Sequence, residues 1–207
     1  MRATIAALLA GAFMIAASAA NAADIIDQWN SVKAPPVPQL KPVQITSPQT
    51  TALLMMDFVQ RNCGERPRCL ETIPAVVKFL AQAREHNLLV IYTTGPGGTV
   101  KDTLPQVAPL GNEPVFTTNA DKFFNTGLEK LLKEKGIKTV ISIGTAAHGA
   151  VLNTSVAAAV RGFDVIVPID GMSFDNLYAE QYTAWHIANS SSSAARSTLT
   201  RFDMIKF

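Results

Sequence analysis

The chain has 207 residues, a formal net charge of +2 and an apolar fraction of 48%, enough for one domain with a sizeable core. No basic stripe stands out, so nucleic acid is not expected as a partner. One pair of cysteines with no histidine nearby is too little for a structural zinc site.

Residues 1–22 read as a cleavable signal peptide. Met1 and Arg2 supply a positive start, residues 5–19 an apolar run, and Ala20, Asn21 and Ala22 a small-x-small cleavage site. The run is shorter than the ~20 residues of a spanning helix, which argues against a membrane anchor. No later segment is long and apolar enough to span a bilayer. About 185 residues would remain, periplasmic or secreted. In such a compartment Cys63 and Cys69 are expected to form a disulfide. A redox role is disfavoured, because the five-residue spacer is wrong for Cys-x-x-Cys chemistry and no helix start is expected after Cys63.

Residues 23–50 form a proline-rich N-terminal arm with a short helix expected at 25–29. Pro35, Pro36, Pro38 and Pro42 make the rest extended, to pack across its own domain or a neighbouring subunit. The domain proper is expected over 51–207. Residues 52–56 read as a buried strand ended by Asp57. Residues 72–86 have helical spacing. Residues 88–92 are a second strand, followed by a long loop to about 112 and a short strand at 114–116. A helix over 125–135, capped by Asn125 or Thr126 and closed by Gly136, leads to a strand at 139–143. An Ala-rich helix over 147–161, a strand over 163–169, a helix over 175–189 and a last strand over 198–205 complete the chain. Alternating strands and helices require a mostly parallel sheet with helices on both faces. Ligands in such sheets bind at the carboxyl ends of strands, where Asp57, Gly144 and Asp170 fall.

Asp57 is flanked by apolar residues. Desolvation there penalises an ionised carboxylate, which suits a group that must gain and lose a proton. An aspartate capping the following loop is the other reading. Residues 144–151 form a strand-to-helix turn of small residues around His148. Its backbone N–H groups could receive an anion, or its small side chains could simply allow tight packing.

The strand ending in Asp57, the stretch Phe123 to Leu128 containing Thr126, the Gly144 turn and the stretch Arg161 to Asp170 occur in that order. This arrangement resembles the isochorismatase-like hydrolase superfamily, which also contains nicotinamidases and related cysteine amidases. The resemblance implies a six-stranded, Rossmann-like sheet in a three-layer sandwich and an Asp–Lys–Cys triad. Asp57 matches the aspartate. The cysteine position is Ala150, so this member is expected to lack the thiol nucleophile. The lysine position falls at Thr117 or a near neighbour. The nearest lysine is Lys122, which either reaches the site or is a solvated lysine at the sheet edge. Ala147 and His148 resemble the true isochorismatases, which hydrolyse a vinyl ether by acid–base chemistry centred on the aspartate.

The resemblance thus implies a small-molecule hydrolase without a covalent step, cofactor or metal. Asp57 and Lys122 would be catalytic. Ala146, Ala147, His148 and Ala150 would bind substrate, and the Cys63–Cys69 loop and residues 95–112 would shape the entrance. The alternative is a non-catalytic small-molecule-binding pseudoenzyme on the same fold. Contact between Lys122 and Asp57 within roughly 4 Å would favour catalysis, and a Lys122 facing solvent would favour binding alone. The arm and the superfamily's habits suggest a homo-oligomer.

Overall fold

A computed structural model describes residues 22–207. The expected signal peptide, up to Asn21, lies outside the described residues. Contacts divide the chain after Pro35. In the first unit the short helix expected at 25–29 is instead a 3-10 turn, Trp29–Ser31.

The second unit, Pro36–Phe207, is an α/β three-layer sandwich. Its strands in chain order are β1 (Val43–Gln44), β2 (Thr51–Met56), β3 (Leu89–Thr94), β4 (Val115–Thr117), β5 (Thr139–Thr145), β6 (Asp164–Pro168), β7 (Met172–Ser173), β8 (Ser197–Thr200) and β9 (Ile205–Lys206). Four helices accompany them: α1 (Pro67–Glu85), α2 (Leu128–Glu134), α3 (Leu152–Val160) and α4 (Leu177–Asn189). Six strands form a parallel sheet in the order β4-β3-β2-β5-β6-β8, and two-residue β7 joins the end of β5. β1 and β9 pair separately. Lys41 also donates its backbone N–H to Leu199 O at 2.9 Å, so the extended arm from Pro36 lies on its own unit.

β2 is buried along its whole length, as a central parallel strand must be. Its side chains alternate between two cores. Leu53 and Met55 meet Val76, Phe79 and Leu80 of α1 on one face. Ala52, Leu54 and Met56 join Leu128 and Leu132 of α2, Ala158 of α3 and Ile187 of α4 on the other. The chain leaves β2 toward β3 and β4, then crosses to β5 and continues in the opposite direction. The boundary between β2 and β5 is therefore the topological switch point, where parallel sheets open a crevice at their carboxyl ends.

Several element limits differ from expectation. α1 starts at Pro67, not near 72, because proline is pre-organised for the first helical position; a helix start does follow Cys63. α2 starts at Leu128 with no side-chain cap. Thr126 instead donates its hydroxyl to Lys122 O at 2.6 Å and accepts from Leu128 N at 3.3 Å. The expected last strand is broken: Asp170 accepts the backbone N–H of Phe202, which turns the chain between β8 and β9. Burial pushes the Asp170 carboxyl above its ordinary range.

Candidate active site

Asp57 follows β2 directly, with a left-handed backbone at φ 59°. Aspartate tolerates this region better than bulky or β-branched residues do. The turn stops the strand and leaves the carboxylate at the switch point. Neighbouring Gly144 of β5 pairs with Met56 at φ 147°, and a Cβ there would collide with Met56 O, so only glycine fits.

Asp57 is 7% exposed and Lys122 is fully buried. Lys122 Nζ donates to Asp57 Oδ2 at 2.7 Å and to Asn119 O at 2.9 Å. Thr93 Oγ1 donates to Asp57 Oδ1 at 2.9 Å. Each carboxylate oxygen thus has one donor, and one of the three ammonium N–H groups has no protein partner among the described residues. The segment carrying Lys122 is held from both sides. Its own backbone N–H donates to Thr154 Oγ1 on α3 at 3.2 Å, and Thr126 ties its carbonyl. Lys122 is therefore neither solvated nor at the sheet edge.

The turn after β5 begins as a wide π-helical turn, Ala147–Val151, before α3 continues it. The Thr145–Ala146 peptide is cis. Ala146 is half-buried, whereas the methyls of Ala147 and Ala150 belong to the core beside Met56, Phe123 and Val151. At those two positions only the backbone is left to meet a ligand. His148 is exposed, with its ring edge-on to Phe174 at 4.4 Å. Arg66 covers the same phenyl ring at 5.0 Å and pairs with Asp175 at 3.4 Å.

Cys63 and Cys69 form a disulfide, both sulfurs buried, between a π-helical turn over Gln60–Gly64 and the first turn of α1. The segment between Asp57 and Cys63 is joined to the 95–112 loop. Arg61 donates to Pro96 O at 2.6 Å, and Leu104 N–H to Phe58 O at 2.9 Å. Farther out, Arg84 makes a two-pronged pair with Glu113 at 2.8 Å on each prong and donates to Tyr92 Oη at 3.0 Å, which fixes the end of that loop to α1. Among the described residues no three His, Cys, Asp or Glu side chains converge as a metal site.

The structure thus brings Asp57 and Lys122 together beside the Gly144 turn. Sequence reasoning missed Thr93, the Asn119 carbonyl and Thr154. Thr93 had a usable signal: it stands at the end of β3, paired in register with Met56.

Residues 51–198 match the isochorismatase domain family. Over 146 residues, 56% of this chain and 68% of the relative, the sequence is 29% identical to maleamate amidohydrolase of Pseudomonas putida. Over 77 residues, 37% of this chain and 40% of the relative, it is 31% identical to the secreted isochorismatase effector Isc1 of Verticillium dahliae. An isochorismatase-like hydrolase from Alkaliphilus metalliredigens superposes with a TM-score of 0.67 at 20% identity, covering 74% of this chain and 87% of that one. N-carbamoylsarcosine amidase from Thermoplasma acidophilum superposes with a TM-score of 0.63 at 22% identity, covering 74% and 97%. At these identities the superpositions show a shared fold.

Proposed function

Because the chain belongs to the isochorismatase family, we propose that it is an exported hydrolase of a small molecule, with Asp57 as general acid and base and no covalent cysteine step. The observation that carries this reading is the buried 2.7 Å contact between Lys122 Nζ and Asp57 Oδ2 at the switch point of the sheet. Ala150 stands where the family resemblance puts the nucleophile, and both cysteines are consumed in the disulfide. Acid–base chemistry needs neither.

A vinyl ether is hydrolysed by adding a proton to its terminal carbon. The oxocarbenium ion then takes up water, and the hemiketal breaks its C–O bond to release a ketone and an alcohol. Asp57 in its acid form would deliver the first proton, and its carboxylate would take one from the attacking water. Lys122 and Thr93 would hold that carboxylate in one orientation, so that proton transfer starts from a fixed geometry. The uncommitted Lys122 N–H would meet an electronegative atom of the substrate. The backbone of Ala146, Ala147 and Ala150, with His148, would line the other side.

The maleamate amidohydrolase relative supports testing amides beside vinyl ethers and esters, and the secreted effector supports export. Ala150 also supports a second reading, a binding protein without turnover. One experiment separates the two. The mature protein is assayed against a panel of vinyl ethers, esters and amides that includes maleamate. Turnover that Asp57→Asn lowers at least about a hundredfold, the usual weight of a general acid or base, is expected. No turnover by the wild type, or full activity in the variant, would overturn the hydrolase reading.

A further inference from the structure

At the carboxyl edge of the sheet the strands run in the order β2-β5-β7. Asp57 follows β2. Ser173 of β7 pairs with Thr145 of β5, so Phe174 comes one residue later, beside the start of the turn that carries His148. Asp57 and Phe174 thus stand two strand spacings apart, about 10 Å.

Phe174 is a fastened wall of this edge. Its backbone N–H donates to Glu180 Oε1 at 2.9 Å, and Arg68 holds both oxygens of Glu180 at 2.8 and 2.6 Å. On its phenyl ring lies the Arg66 guanidinium, 5.0 Å from the centroid. Arg66 immediately precedes α1, whose first turn the disulfide ties to the segment after Asp57. Its place relative to Asp57 is therefore set by covalent and stacking contacts together. The side chain is 28% exposed. Asp175 pairs with Arg66 Nε at 3.4 Å but is itself 54% exposed, so water screens that pair. The two terminal amino groups of the fork have no protein partner among the described residues. A planar guanidinium with both terminal amino groups free is the donor set that a carboxylate takes on two prongs.

The neighbouring charges leave this role to Arg66. Lys122 balances Asp57, and Arg68 is committed to Glu180. We infer that Arg66 is a specificity-determining residue that holds the carboxylate of an elongated acid, whose reacting bond lies at Asp57 about 10 Å away. The chain between the two ends would cross the turn at Ala146 and run along the Phe174 ring. The assignment rests on the proposed reading of Asp57 as the reacting end. Maleamate, with one double bond between its amide and its carboxylate, is too short to bridge the two.

The mature protein is titrated calorimetrically with suberate, a long dicarboxylate without a hydrolysable bond, and with succinate, its short homologue. Suberate is expected to bind more tightly. Arg66→Gln should weaken suberate at least about tenfold, the weight of a hydrogen bond to a charged group. Phe174→Leu, which removes the ring beneath Arg66 but keeps apolar bulk, should weaken it in the same direction. The Arg66 side chain belongs to neither core, so the circular dichroism melt of Arg66→Gln should be unchanged. No suberate binding, binding no tighter than that of succinate, or binding that neither variant weakens would overturn the assignment. The titration involves no turnover, so its failure leaves the hydrolase reading standing, and a protein without turnover leaves the role of Arg66 standing.

Discussion

Lys122 holds its ammonium at the inner end of the site, against the only buried carboxylate of the described residues. Such a pair contributes little net stability, because both ions lose hydration, but removing one partner strands the other. Lys122→Met is therefore expected to cost about 3–5 kcal/mol in urea denaturation. Adding Asp57→Asn should return part of that loss, since the stranded charge then disappears. A single variant as stable as the wild type would contradict the buried pair. Asp57 was legible in the sequence because a polar residue closing a run of apolar ones marks a strand end. Lys122 was legible only as the lysine nearest an expected position. Its burial depends on Thr154 and Thr126, which hold the backbone around it from distant and local elements. Contacts of that kind leave no periodicity to read.

At the scale of elements, alternating apolar runs and helical spacing announced the order of strands and helices, and the parallel sheet followed from it. Their limits were less legible. Pro67 extends α1 by a turn, Thr126 ties the Lys122 carbonyl as well as the first N–H of α2, and Asp170 breaks the last strand by holding Phe202. In each case one side chain changes a boundary without altering the apolar pattern. The disulfide works at the same scale. It joins the turn after Asp57 to the start of α1, and the closed loop is short. Replacing both cysteines by serine should therefore lower stability by about 2–3 kcal/mol, measured by urea denaturation under oxidising conditions. Equal stability would mean that packing alone holds the turn.

For the whole molecule, the N-terminal reading concerns where the protein works. Among the described residues no helix is long and apolar enough to cross a membrane. If residues 1–22 are removed on export, N-terminal sequencing of the protein recovered from its producing cell should begin at Ala23. A chain beginning at Met1 would refute processing. The disulfide then bears on durability as much as on shape. The sequence contains two cysteines and each is bonded to the other, so no free thiol remains for peroxide to convert to a sulfenic acid or for an alkylating poison to cap. A hydrolase that depends on a thiolate is silenced by such agents; this chain has no free thiol to offer them.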